Sequence, residues 1–181
     1  MTYDPLVRAL LRLVSEKPVR AAIRANHNRT LLYAGTTMRQ SALGTALHQP
    51  MWKEILELKR REPQYADMDT LPDVLARVTI ARAPYATLLA YVQDVEAMVA
   101  WHPDGFYMWR MLSAVFAGNA TGRVSFYIGS GISPATKVFA ATELAALEAN
   151  PDVDELTKDL VAYYQRCIQR GETAMNLSFL A

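Results

Sequence analysis

The sequence predicts a mainly α-helical fold of the α+β class, with a small two- or three-stranded sheet in a single domain spanning residues 1–181. Two observations lead to this prediction. Apolar residues recur at helical spacing along most of the 181-residue chain. Only two short runs, at about 30–34 and 123–128, have the β-branched and aromatic composition of strands. We expect these two runs to pair as the centre of the sheet.

Two helices are expected at the amino terminus. Asp4-Pro5 is a helix-start pair, and the helix that follows is expected to run to about Glu16. Pro18 opens a second helix, expected to run to about Asn26. The first helix is apolar over most of its circumference. Such a helix is either buried on several sides or covered by a partner.

The middle of the chain is expected to be helical after the strand that ends at Gly35, with a polar loop at 63–69. Proline and threonine start signals and apolar stripes predict helices over about 38–47, from Pro50, from Thr70, and from Pro84 to Trp101. Next, 102–105 has the composition of a type I turn, with proline second and glycine fourth.

The carboxyl-terminal part is expected to hold three helices around the second strand. A buried helix is predicted over 106–117, and another is predicted to end near Ala149. The last helix is expected to stop at Gly171 and to carry five residues inward, which are Leu156, Leu160, Tyr163, Tyr164 and Cys167.

Composition excludes several classes of protein. Hydrophobic residues make up 51% of the chain and charged residues 20%, which is typical of a globular domain rather than a disordered one. The single cysteine, Cys167, excludes an internal disulfide and fits a reducing compartment. No apolar run approaches the ~18–20 residues that span a bilayer, and the amino terminus lacks a signal-peptide pattern. A cytoplasmic protein without a membrane span is therefore expected.

Charge is unevenly distributed, although the net charge is only +1. Residues 1–40 hold seven basic and two acidic side chains, whereas residues 141–181 hold three basic and seven acidic ones. The two predicted amino-terminal helices carry pairs of arginines spaced four residues apart, which are Arg8 with Arg12 and Arg20 with Arg24. Such pairs are candidates for contacts with nucleic-acid phosphates. The alternative is that they pair within the fold, with Asp152, Asp154 or Asp159.

A glycine loop after the second strand has the layout of an anion site. Strand, glycine turn and helix start follow one another, and backbone N–H groups at a helix start can hold a phosphate or carboxylate. The candidate residues are Gly129, Ser130, Gly131, Ser133, Thr136 and Lys137. The loop matches neither the P-loop nor the dinucleotide-binding spacing. The alternative is a tight turn in which Ser133 only caps the helix.

The remaining chemistry-bearing residues predict no catalytic or cofactor site. Cys167 lies on an apolar stripe, which is typical of a buried structural thiol. The three histidines fall at predicted helix ends or turns without metal-ligand spacing. We therefore expect no metal, no cofactor and no catalysis.

The sequence favours an interaction protein: a subunit or adaptor of a larger bacterial or phage assembly, or a self-associating protein. The basis is the apolar first helix, an apolar carboxyl-terminal tail and the separation of charge. The candidate interface residues are Leu6, Leu10, Leu13, Phe179 and Leu180. Two alternatives stay open. One is a nucleic-acid-associated protein that uses the four arginines, and the other is a small enzyme or effector that binds an anion at the glycine loop.

Overall fold

The computed structural model describes residues 4–34, 36–40, 46–99, 103–128 and 139–171. It confirms a mainly helical α+β fold. The helices are α1 (Pro5–Ser15), α2 (Lys17–Ala22), α3 (Met51–Arg61), α4 (Pro63–Ala66), α5 (Leu71–Leu75), α6 (Leu88–Met98), α7 (Pro103–Gly118), a π-helical segment (Phe139–Glu143), α8 (Leu144–Ala149) and α9 (Glu155–Arg170). The strands are β1 (Thr30–Ala34), β2 (Thr36–Gln40), β3 (Ala46–Pro50), β4 (Thr79–Arg82), β5 (Tyr85–Thr87) and β6 (Val124–Ile128).

The two predicted strands pair as expected. Strands β1 and β6 run parallel, in a register that joins Thr30 to Val124 and Ala34 to Ile128. A parallel pair needs a long crossover, and here α3 to α7 lie between the two strands in the chain. On the other side of β1, the backbone of Asp69 adds a bridge, with its N–H 2.7 Å from the Arg29 carbonyl oxygen.

Alternation along β1 divides the hydrophobic core into two layers. Leu32 and Ala34 pack into the main cluster, which includes buried residues of α1, α5, α6, α7, α8 and α9. Leu31 belongs to a second, smaller cluster, and Tyr33 packs against it. Successive side chains of a strand point to opposite faces. The β1–β6 pair is therefore covered by side chains on both faces, as is usual for parallel strands.

Helix α9 is fastened to the start of β6. Asp154 caps the helix by accepting a hydrogen bond from the Thr157 N–H at 2.8 Å. The buried Thr157 hydroxyl in turn accepts a hydrogen bond from the Val124 N–H at 3.0 Å. Gly171 ends the helix with φ +67°, as the sequence predicts. Cys167 is buried, also as predicted, but Leu156 is 43% exposed because Thr157 takes the inward position in the first turn.

One predicted helix proves to be a hairpin, and the start of a second predicted helix lies in another hairpin. The stretch expected as a helix over 38–47 contains parts of the antiparallel pair β2 and β3. There the β-branched Thr36-Thr37 favours a strand. The predicted helix start at Pro84 lies instead in the turn between β4 and β5. Proline suits a tight turn as well as a helix start. Helix α6 begins directly after β5, at Leu88, and the last residue of the strand, Thr87, is its N-cap.

Several boundaries also differ from the prediction. Helix α2 ends at Ala22 instead of near Asn26, so Arg20 and Arg24 do not share a helix face. The predicted type I turn at 102–105 is partly the first turn of α7, because Pro103 occupies the first helical position. The predicted 63–69 loop contains the short helix α4. Helix α6 ends at Met98 rather than at Trp101.

Candidate functional site

The carboxyl ends of β1 and β6 meet at one edge of the sheet. Ala34 and Ile128 are register partners, so the chain leaves both strands at the same level. Loops at the carboxyl ends of parallel strands are a common place for ligand sites. The predicted anion loop, from Gly129 to Lys137, follows β6 in the sequence but lies outside the described residues, so it stays a prediction.

A cleft opens beside the penultimate residue of β1, Tyr33. Its volume is about 560 Å³, within the range of ~300–1,000 Å³ that is usual for small-molecule sites. Helices α3, α5, α6 and α7 supply the rest of the wall. The lining residues are Tyr33, Ile55, Leu56, Thr70, Pro72, Asp73, Leu89, Gln93, Glu96 and Trp109. Aromatic and aliphatic surface thus dominates the wall, with a small number of polar groups.

Asp73 is the most firmly held polar group of the cleft. It forms a capping box with Thr70, whose N–H and hydroxyl donate to Asp73 Oδ2 at 2.9 Å and 2.8 Å. Lys59 Nζ lies 2.6 Å from the same oxygen. Burial by itself would raise the pKa of Asp73, but the hydrogen bonds from Lys59 and Thr70 outweigh it and lower that pKa. Asp73 is therefore an ionised carboxylate in a fixed position.

The opposite wall is formed by α6 and α7. Gln93 and Glu96 lie three residues apart on α6, and such residues are neighbours on a helix surface. Glu96 is exposed, whereas Trp109 of α7 is half-buried. The positive charge of Lys59 balances the negative charge of Asp73. The charge of Glu96 is not balanced in this way, so the described wall of the cleft has one net negative charge.

A buried carboxyl group lies near the same edge. Glu143 ends the π-helical segment and is only 7% exposed. Burial raises its pKa to about 8, and the hydrogen bond with Ser113 of α7 opposes the rise only in part. Burial likewise raises the pKa of Tyr33, and the charges of Glu143 and Asp73 raise it further. The Tyr33 hydroxyl thus lies within electrostatic reach of both carboxyl groups.

The four arginine candidates are all exposed. Within the described part of the chain, no carboxylate lies within ion-pair distance of any of them. The predicted alternative, pairing with Asp152, Asp154 or Asp159, is not observed there. Asp154 instead accepts a hydrogen bond from Arg123 Nε at 3.1 Å, because both lie where α9 joins the start of β6.

The predicted interface residues divide into three groups. Leu10 is fully buried in the core of this chain, together with Val7 of the same helix. Leu13 is half-buried against that core, while Leu6 is 39% exposed. Phe179 and Leu180 lie outside the described residues. The apolar first helix is therefore explained largely by packing within the chain.

Comparisons with protein-family models, with curated proteins and with solved structures found no match. Among the residues that the structure describes, no group of three or more histidine, cysteine, aspartate or glutamate side chains could hold a metal ion. None of the described helices is long and apolar enough to cross a membrane.

Sequence reasoning missed the cleft because its wall comes from five separate elements. Two local signals were present. Asp73 is the last residue of the motif Thr70-Leu-Pro-Asp, which predicts a cap but not its place beside a cavity. Glu143 is the one charged residue in the mostly apolar stretch FAATELAAL, a composition that favours burial of the segment but does not show which side of it faces the core.

Proposed function

We propose that this protein binds a small organic ligand in the cleft beside Tyr33, as a binding protein or effector. The observation that carries the proposal is a cavity of about 560 Å³ lined by Tyr33 and Trp109 together with two carboxylates. Concave, mostly apolar pockets with a few fixed polar groups are the usual form of ligand sites. This proposal differs from the third class expected from the sequence, an enzyme or effector that binds an anion at the glycine loop, both in the place of the site and in the charge of the ligand.

Charge and shape define the class of ligand. Tyr33, Trp109 and Leu89 offer surface to a flat apolar body. The carboxylates of Asp73 and Glu96 attract hydrogen-bond donors or a positive charge. In the described part of the chain, the capping-box and lysine bonds to Asp73 all end on Oδ2, which leaves Oδ1 as an acceptor for a ligand. The ligand we propose is therefore an aromatic amine or a similar organic cation.

Two indole derivatives of similar size and opposite charge test this proposal. Tryptamine carries an ammonium group and indole-3-acetate a carboxylate. We expect calorimetry to detect tryptamine binding and to find indole-3-acetate at least tenfold weaker. Asp73→Asn and Glu96→Gln should each weaken tryptamine several-fold, because each removes a negative charge from the wall. Equal affinity for the two compounds, or no binding of either, would contradict the proposal.

Asp159→Asn is the matched control. Asp159 is an exposed residue of α9 and is not part of the cleft lining. The Asp159→Asn substitution removes the same charge as Asp73→Asn, so it controls for long-range attraction between a cation and the protein. We expect tryptamine affinity to stay unchanged in this variant. A loss equal to that of Asp73→Asn would mean that tryptamine responds to net charge and not to the cleft.

Nucleic-acid binding is the second candidate function. The observation that favours it is the exposure of Arg8, Arg12, Arg20 and Arg24, none of which has a carboxylate partner in the described ranges. Free guanidinium groups on a surface are available to phosphates. If these arginines bind a duplex, log affinity should fall linearly with log salt concentration.

A double substitution tests this second candidate. Arg8→Gln with Arg12→Gln removes two charges from one face of α1. We expect weaker binding to a 20-base-pair duplex and a shallower salt dependence, by about two released counterions. Lys158 serves as the comparison, because its Nζ donates to the Leu147 and Glu148 carbonyl oxygens. If Lys158→Gln has the same effect as the double substitution, or the parent does not bind, this function is excluded.

A further inference from the structure

A second cavity lies between α2 and the segment that joins α5 to β4. Its volume is about 330 Å³. The lining residues are Pro18, Val19, Ala22, Arg24, Val74, Arg77, Val78 and Thr79. None of these residues belongs to the cleft beside Tyr33, so this cavity is independent of ligand binding in that cleft.

The two arginines of this cavity have different states. Both terminal nitrogens of Arg77 donate to Asp69, at 2.7 Å and 2.8 Å, so this guanidinium is fixed in place and its charge is balanced. A guanidinium has five N–H donors, and further donors of Arg77 remain beyond those two bonds. Arg24 is exposed, and no carboxylate in the described part of the chain pairs with it. The described wall therefore has one net positive charge.

Valine side chains form the floor of the cavity, and arginine and threonine side chains make the rest of its lining partly polar. Val74 and Val78 are 1% and 6% exposed and belong to the main core, and Val19 packs against that core from α2. Fixed apolar atoms beside a guanidinium suit a ligand that has both an apolar body and an anionic group. An inorganic ion would use the charge but not the floor.

We propose that this cavity binds a small organic anion, a phosphate or carboxylate carried on an aromatic or aliphatic group. Arg24 pairs with the anionic group, and Arg77 adds directional N–H donors from a position that Asp69 fixes. The valine floor takes the apolar body. The anionic class of ligand distinguishes this site from the negatively charged cleft.

Phenyl phosphate is the first probe. Its binding is detected by nuclear magnetic resonance of the backbone amides. We expect it to shift the amide signals of residues 19–24 and 74–79, since residue 18 is a proline and has no N–H. Inorganic phosphate should bind about tenfold more weakly, since it makes no contact with the floor. Benzyl alcohol, which has the ring without the charge, should also bind at least tenfold more weakly.

Three substitutions separate the cavity from the general surface. Arg24→Gln should weaken phenyl phosphate about tenfold, while Arg29→Gln, which changes an exposed arginine outside the cavity lining, should leave it unchanged. Ala22→Leu fills the cavity from its exposed side and should abolish binding without lowering thermal stability.

Several results would overturn the proposal. They are an absence of amide shifts at millimolar phenyl phosphate, equal affinity in Arg24→Gln, and equal affinity for inorganic phosphate. Amide shifts produced by a 20-base-pair duplex but not by phenyl phosphate would show that Arg24 contacts nucleic acid instead. Failure of tryptamine to bind bears only on the cleft, since the two sites share no lining residue.

Discussion

Glu143 shows how the surroundings of one residue change its chemistry. Its carboxyl group is buried at the end of the π-helical segment, with Ser113 as its hydrogen-bond partner, and its pKa is raised to about 8. Between the ordinary pKa of 4.5 and about pH 8, the Glu143 carboxyl group is protonated in the folded protein but ionised in the unfolded chain. The folded state therefore loses stability as the pH rises through this interval.

Glu143→Gln should remove this pH dependence. From about pH 5.5 to about pH 7.5, we expect Glu143 to reduce the parent's free energy of unfolding by about 2.5 kcal/mol. The glutamine variant should lack this contribution and be more stable than the parent at the higher pH. Asp73 and Asp154 do not interfere, because their lowered pKa values place their loss of stabilisation at more acidic pH. Urea denaturation of both proteins at both pH values measures this change. An equal change in the free energy of unfolding between the two pH values for the parent and the variant would contradict the assignment.

Gly122 occupies a backbone conformation that a side chain would strain. Its φ is +71°, and an added Cβ would lie 2.6 Å from His27 Cε1 and still closer to the Asn28 carboxamide oxygen. That oxygen also accepts a hydrogen bond from the Arg123 N–H at 2.7 Å. The turn before β6 therefore depends on the absence of a side chain here.

Gly122→Ala should lower the free energy of unfolding by about 2–4 kcal/mol, since both strain and overlap contribute. Gly118→Ala is the matched control, because a Cβ at Gly118 meets nothing within 4 Å. That change at the end of α7 should be neutral or stabilise by up to ~1 kcal/mol. Thermal denaturation of both variants suffices. Equal melting temperatures for them would show that Gly122 has no special role.

At the scale of elements, one asparagine joins α7 to the segment between α8 and α9. Asn150 Nδ2 lies within 3.1 Å of three carbonyl oxygens, those of Ala117, Gly118 and Ala120. Its Oδ1 accepts a hydrogen bond from the Asp152 N–H at 2.9 Å. The Asn150 side chain is buried, so water cannot take its place as the hydrogen-bond donor to these carbonyl groups.

Asn150→Ala should lower the free energy of unfolding by about 2–4 kcal/mol, because it leaves buried carbonyl groups without a donor. Asn150→Asp should be worse than alanine near neutral pH, since a carboxylate would face three carbonyl oxygens. Asn119→Ala gives the comparison. Asn119 donates to the Arg20 and Ile23 carbonyl oxygens from a half-buried position, and its loss should cost about 1 kcal/mol. Chemical denaturation ranks the three, and any other order contradicts this account.

At the scale of the whole molecule, the interaction-protein prediction now depends on less surface than the sequence indicated. Helix α1 places Val7, Leu10 and Val14 in the chain's own core. Leu6 is the member of the predicted interface that the structure describes as clearly exposed. Association through α1 therefore stays a prediction, with Leu6 as its test residue.

Light scattering of the purified protein measures its mass in solution and so tests this prediction directly. If α1 is an interface, we expect a mass above that of one chain, and Leu6→Glu should return it to one chain by placing a charge in the contact. Leu156→Glu, a change at an exposed leucine of α9, is the control and should not alter the mass. A monomer at micromolar concentration would remove self-association from the functions considered.

The amino-acid pattern by itself determined the helical class, the two strands and most of the core. It also placed the end of α9 at Gly171 and the burial of Cys167, because helical periodicity, caps and glycine ends are local properties. It did not determine the two hairpins, since proline and threonine signals fit turns and strands as well as helix starts. Tertiary packing decided between those alternatives.

Only the tertiary structure decided where chemistry is concentrated. Tyr33, Asp73 and Trp109 come from three elements that are distant in the chain, and nothing in their local sequence indicates that they line one cleft. Arg24 and Arg77, which follow α2 and α5 in the chain, are likewise brought to one cavity by the tertiary structure. The sequence pattern records which face of each element is apolar. Which elements meet depends on contacts between residues far apart in the chain, and those contacts form the two cavities.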